Sequence, residues 1–179
     1  PFHYNCEVVY RLMPGNLLEL ETTILNLSQE PLPLADGWHP YFTLGGPIDR
    51  CKLQVNSSRM LEFNDALLPT GNLLDDRRFT EPAELADIQL DNCFLLNAPD
   101  GQPCCSLVNP DNGLRLSITT NETYPYLQLY TPPHRNSIAI ENLSGAPDCL
   151  NNGIGIVLLE PGESETFTTW YKIDTVKID

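Results

Sequence analysis

The sequence predicts an all-β protein built as an antiparallel β-sandwich. Short runs in which apolar and polar residues alternate recur along the whole chain, and a period of two is the signature of a strand with one buried face. Turn-forming residues, drawn from 16 prolines and 11 glycines, fall between those runs. Many short strands at near-regular spacing, with little room for long helices, indicate a sandwich or a barrel.

The first element is a hairpin. CEVVYRL (6–12) and LLELETTIL (17–25) flank Pro14-Gly15-Asn16, two β-type runs across a short turn. In the second run Leu18, Leu20, Thr22 and Ile24 share one face, while Glu19, Glu21 and Thr23 share the other. Strands follow at CKLQV (51–55), NCFLL (92–96), LRLSITT (114–120), YLQLY (126–130), SIAIE (137–141) and GIVLL (155–159). The last is ETFTTWYKI (165–173), with Phe167, Thr169, Tyr171 and Ile173 on one side. Turns are expected at Gly45-Gly46-Pro47, Pro69-Thr70-Gly71, at 99–101 and 110–113, at Pro132-Pro133 and at Pro161-Gly162, where glycine supplies positive φ and proline presets it. EPAELADIQL (81–90) is the best helical candidate, worth one or two turns. No repeat or linker divides the chain, so residues 1–179 form one domain.

Composition narrows the function. The chain has 24 acidic against 10 basic residues, a net charge of -14. Nucleic acid and anionic membrane surfaces are excluded as partners, because binding phosphate needs positive charge; a neutral ligand such as a sugar meets no such penalty. No apolar run reaches the length of a membrane span. Cys6, Cys51, Cys93, Cys104, Cys105 and Cys149 include no C-x-x-C pair. The spacing disfavours zinc, and reduced thiols in a cytoplasmic protein are expected rather than a disulfide framework. Four N-x-S/T sequons, at Asn26, Asn56, Asn121 and Asn142, come with no signal-peptide pattern. The chain opens on Pro1 and enters strand-like sequence almost at once, as a fragment or processed product would. Oligomeric state is not legible here, although an incomplete sandwich would offer exposed sheet edges to a partner chain.

The stretch DGWHPYF (36–42) carries the first candidate for chemistry. Pro40 removes a backbone donor and biases His39 toward extended backbone. The flanking rings of Trp38 and Tyr41 are candidates for a sugar platform, since pyranose faces are apolar while their hydroxyls need directed partners. Glu141 ends the apolar run SIAI before the loop NLSGAPD, and Asp91 opens LDNCFLL. Taken singly, each has a plain structural reading: a packed histidine, a solvated strand-end carboxylate, a turn aspartate.

Taken in order, DGWHPYF, LDNCF, YPYLQLYT, IAIENLSGAPD and LLEPGESETFTTWYKI resemble the aldose 1-epimerase (galactose mutarotase) family. The resemblance runs from about Tyr10 to Ile173 and is most specific at WHPYF and at Glu141 to Asp148. It implies a large antiparallel sandwich of the galactose mutarotase type, no metal or organic cofactor, and a free aldose whose α and β anomers are interconverted. It further implies His39 as general acid at the ring oxygen, Glu141 as general base at the anomeric hydroxyl, and Asp91 as a hydrogen-bonding partner of sugar hydroxyls. Full-length members carry an N-terminal half with further strands, an arginine and a second histidine that touch the sugar. His3 and His134 do not match that second histidine's motif.

The residue types suit the reaction. Ring opening removes a proton from one sugar oxygen and delivers one to another, and each positioned transfer is typically worth roughly 10²–10⁴-fold. Acid and base are expected to face each other across a cleft about one pyranose wide. A hexose-6-phosphate epimerase would need a cationic pocket, for which Arg77-Arg78 and His134-Arg135 are the candidates. A non-catalytic sugar-binding domain of the same fold is the third reading.

Overall fold

A computed structural model describes residues 2–99 and 101–177. Two large antiparallel sheets carry the fold. The first has seven strands, in the order β1 (Tyr4–Met13), β2 (Leu17–Asn26), β15 (Ser164–Thr175), β11 (Leu114–Thr120), β10 (Cys105–Val108), β5 (Lys52–Val55) and β8 (Ala83–Glu84). The second has six, in the order β4 (Tyr41–Phe42), β13 (Ile138–Leu143), β12 (Tyr126–Tyr130), β9 (Asp91–Leu95), β6 (Arg59–Phe63) and β7 (Pro69–Asp75). A small ladder joins β3 (Leu32–Leu34) to β14 (Val157–Leu159). The one α-helical turn among the described residues is α1 (Cys149–Asn152). No described helix is long and apolar enough to cross a membrane.

The two sheets are held by the side chains that the alternation turns inward. Leu53, Leu107, Leu116 and Ile118 from the first sheet meet Phe94, Leu127, Leu129, Ile138 and Ile140 from the second in one buried cluster. Burying a side chain of this size contributes about 1.5–3 kcal/mol. Ile24, Leu32, Leu34, Tyr124, Leu159 and Phe167 form a second cluster under the small ladder. The expected inner faces hold: Leu20, Thr22 and Ile24 are buried on β2, and Phe167, Thr169 and Tyr171 on β15. The hairpin closes as expected, with Met13 opposite Leu17 and Tyr4 opposite Asn26. Gly15 and Asn16 both take positive φ, +85° and +57°, which the tight reversal requires and which asparagine tolerates better than most residues.

Two expectations are overturned. Residues 81–90 form no helix; Ala83–Glu84 pairs with β5, and Ala86 turns the chain at φ +43°. Tertiary pairing wins over weak helical propensity, since the segment gains backbone bonds from Leu85 N to the Cys51 carbonyl and from Ala86 N to the Asp49 carbonyl. Pro69-Thr70-Gly71 is not a turn but the start of β7. Gly71 sits at φ +90° where the register with β6 shifts between Leu61 and Phe63, a bulge-like irregularity at a sheet edge. All six cysteines are free thiols, and all but Cys6 are buried. Asn26 and Asn142, two of the sequon asparagines, are also buried, which removes them as glycan acceptors.

Beside the second cluster, the Tyr124 hydroxyl donates to Asp36 Oδ2. Burial raises the Asp36 pKa above the ordinary carboxylate value, and this bond opposes the rise. Tyr124→Phe is expected to cost about 1–3 kcal/mol, because it leaves the carboxylate without that donor; urea denaturation measures it, and an unchanged midpoint would contradict the role.

Candidate active site

The site forms where DGWHPYF lies along β13. Gly37 bridges to Leu143 and Tyr41 pairs with Ala139. Between them the Trp38 amide donates to the Asn142 carbonyl at 3.2 Å and Ile140 N donates to the Pro40 carbonyl at 3.3 Å. Carrying this antiparallel register inward places His39 directly opposite Glu141. Gly37 permits the approach: a Cβ there would stand 2.6 Å from Leu143 Cδ2 and 3.1 Å from the Asn142 carbonyl. The Pro40 carbonyl accepts from Ile140 N, but proline has no amide to return the bond, so this pair at the end of the sheet makes one ladder bond instead of two.

His39 Nε2 lies 3.1 Å from Glu141 Oε1. The imidazole is open to solvent, with 58% of its side chain exposed, while the carboxylate is buried at 9%. One partner of the pair is therefore presented and the other is set into the sheet. Burial is the main cause that raises the Glu141 pKa above 4.5; the His39 charge pulls it down, and Asp91 pushes it up again. The separation is smaller than the pyranose-wide gap expected from sequence. Cross-strand partners on one face stand side by side, and opposite charges draw together.

On the next strand, Gln128 pairs with Glu141 on one side and with Cys93 on the other. Its Nε2 donates to Asp91 Oδ1 at 2.7 Å, and Asp91 stands opposite Tyr130. A cavity of about 470 Å³ is lined by His39, Tyr41, Asp91, Gln128, Tyr130 and Glu141 together with Leu143 and Pro147. The Tyr41 ring lies 5.1 Å from the His39 ring, tilted by 31°, and half of Tyr41 is exposed. Strand alternation sends Trp38 the other way. It packs partly buried against both main clusters, with its ring edge-on to Tyr10 at 6.3 Å, and it does not line this cavity.

The structure thus brings His39, Tyr41, Asp91 and Glu141 to one cavity, while Trp38 lines an adjoining cavity of about 430 Å³ that it shares with His39 and Glu141. It adds Gln128, which the sequence reading passed over. The available signal was an amide in the middle of the apolar run YLQLY. Gln128 is buried, and its Oε1, itself closed to solvent, accepts no hydrogen bond among the described residues. Among the described residues no lysine or arginine lines the cavity. Arg135 is held by Asp49 and by the carbonyls of Ala86 and Ile88, and Arg78 by Asp76. Among the described residues no group of His, Cys, Asp and Glu side chains is placed to hold a metal ion.

The aldose 1-epimerase family model matches residues 1–172. The chain belongs to the aldose 1-epimerase family. Its fold is that of galactose mutarotase-like proteins. The aldose epimerase homologue of C. elegans superposes with a TM-score of 0.86 at 22% identity, covering 99% of this chain and 62% of that one. Galactose 1-epimerase of Lactobacillus acidophilus NCFM superposes at 0.81, with 23% identity, 98% of this chain and 58% of that one. The uncharacterized protein YihR of Escherichia coli (strain K12) is 25% identical over 167 residues, 91% of this chain and 54% of that protein. The chain therefore spans little more than half the length of this curated relative.

Proposed function

We propose that this epimerase-family chain catalyses mutarotation of a free hexose, with His39 as acid and Glu141 as base. The observation that carries the reading is the 3.1 Å pairing of an exposed imidazole with a buried carboxylate at the wall of one cavity. The two oxygens that exchange protons, O1 and the ring oxygen O5, are both bonded to C1. A neighbouring acid and base therefore reach both, and a pair set a full ring apart is not needed.

Glu141 takes the proton from O1 as the C1–O5 bond breaks and C1=O1 forms; protonated His39 delivers its proton to O5. The open chain rotates about C1–C2. Closure on the other face returns the proton from O5 to neutral His39 and the proton on Glu141 to O1, which restores both groups. Asp91, held by the Gln128 amide, accepts from sugar hydroxyls, and Tyr41 offers a ring face.

Running glucose 6-phosphate beside glucose separates a free sugar from a hexose 6-phosphate as substrate, since the phosphate needs a cationic partner. An intact acid–base pair favours catalysis over binding alone. Polarimetry on freshly dissolved α-glucose and α-galactose tests the proposal. Acceleration of both over buffer supports it, and calorimetric sugar binding with no acceleration would favour the non-catalytic reading.

Two further outcomes are expected. The base must be ionised, and burial holds the Glu141 pKa above 4.5. The acidic limb of kcat/KM should therefore lie above that value, with activity rising as pH increases through it; a limb at or below 4.5 would contradict the assignment. Gln128→Leu removes the donor that holds Asp91, and should lower kcat/KM by about 10-fold, roughly 1.4 kcal/mol, mostly in KM. Initial-rate polarimetry measures it.

A further inference from the structure

We infer that the hydrogen bond from Tyr124 to Asp36 is a register lock, which holds the stretch 36–42 along β13 so that His39 stands opposite Glu141. Tyr124 and Asp36 are then positioning residues for the proposed acid–base pair, and the inference rests on that reading of the site. The backbone alone holds this stretch loosely. Antiparallel pairing allows two bonds at each of the pairs 36–144, 38–142 and 40–140. Among the described residues each shows one backbone-to-backbone bond: Ser144 N to the Asp36 carbonyl at 2.8 Å, Trp38 N to the Asn142 carbonyl at 3.2 Å and Ile140 N to the Pro40 carbonyl at 3.3 Å. Pro40 has no amide to give, and the Asp36 amide donates instead to the Ser144 hydroxyl, at 2.7 Å.

The apolar side chains leave the register open. Alternation turns Asp36, Trp38, Pro40 and Phe42 to the inner face and Gly37, His39 and Tyr41 to the outer one. Trp38 packs against both main clusters, and the Phe42 ring lies 5.7 Å from that of Tyr171. A slip of one residue would send Trp38 outward and His39 into the core, so the pattern excludes it. A slip of two keeps every side chain on its own face, yet brings Gly37 or Tyr41 opposite Glu141 in place of His39.

A polar contact fixed at one position along the stretch separates these registers, and the bond from Tyr124 supplies it. Tyr124 is 1% exposed, and its ring packs at 5.6 Å against that of Phe167, which is fully buried. Its hydroxyl, the donor to Asp36 Oδ2, therefore stands at a fixed point in the core. Two residues of strand span about 6.6 Å. A two-residue slip thus carries the carboxylate out of reach and leaves a buried hydroxyl without its acceptor. An apolar pair in these two places would hold the stretch as firmly without choosing its register.

Cross-strand partners that share no hydrogen bond stand about 4.5 Å apart at Cα. In the wild type, His39 and Glu141 should therefore give a strong Hα–Hα cross-peak by NMR, with no sugar present. Tyr124→Phe should weaken it, and so should Tyr124→Phe combined with Asp36→Val. The double variant leaves neither partner unmatched, so its melting temperature should return toward wild type. Its kcat for mutarotation should stay about 10-fold or more below wild type with KM unchanged, because a misplacement of about 1 Å can cost roughly 10²-fold. A purely structural role would restore kcat together with the melting temperature. A missing cross-peak in the wild type, a wild-type cross-peak in the double variant, kcat that recovers with stability, or a rise in KM alone would each overturn the lock. An inactive wild type would end the mutarotase reading, and the cross-peak would still decide the lock.

Discussion

Glu141→Gln is expected to lower kcat/KM for α-galactose mutarotation by about 10²–10⁴-fold, with the fold intact. The substitution keeps size and hydrogen-bonding capacity and removes only the carboxylate proposed to accept the O1 proton. Because Glu141 is buried beside His39, the neutral amide also relieves a desolvation cost, and stability should hold or rise. Its signature is then a large rate loss with an unchanged or higher melting temperature. His39→Ala should lose activity on a similar scale, and the double variant should be little worse than either single one, because the proposed acid and base act on one bond-breaking step. Polarimetry on the two single variants and the double variant decides it. Undiminished acceleration in Glu141→Gln would remove the carboxylate from the mechanism.

Phe94→Ala is expected to destabilise the fold by about 3–5 kcal/mol. Phe94 is 1% exposed in the main cluster and pairs across strands with Leu127 and Met60. Its neighbours are set by ladders on both sides, so they cannot close over the space left behind. Thermal unfolding should show a fall of several degrees or more, because each kcal/mol moves the midpoint of a domain this size by about 2–4 °C. A loss under 1 kcal/mol would mean that the inter-sheet layer is looser than the burial indicates. Phe94 and Asp91 lie on one five-residue strand, so the same scan reports whether the site loosens before the fold does.

Much of the architecture was legible because its causes are local. β2, β11 and β15 follow from alternation, and the first hairpin follows from Pro14-Gly15-Asn16, whose backbone takes the positive φ that the turn requires. β6 was missed: RMLEF has no clean period of two, and its place is set by β7 and β9 on either side. The misread at 81–90 has the same origin, since that short strand exists only because β5 is there to pair with it. At the site, the motif residues marked His39, Asp91 and Glu141, while the local pattern gave no sign of which way Trp38 would turn. Strand parity against β13 sends it into the core and keeps Tyr41 with His39.

The residues along the chain were sufficient to mark which side chains are candidates for chemistry, how His39 is stiffened by Pro40, and where most of the strands run. Each of those properties depends on near neighbours: torsional preference, period and turn chemistry. The 3.1 Å contact of imidazole with carboxylate, the bond from Gln128 to Asp91 and the burial that raises the Glu141 pKa came only from the folded sheet. They depend on register between strands far apart in sequence. Register is settled by the sum of cross-strand packing and hydrogen bonding over the assembled sheet, a quantity that no short stretch of sequence contains.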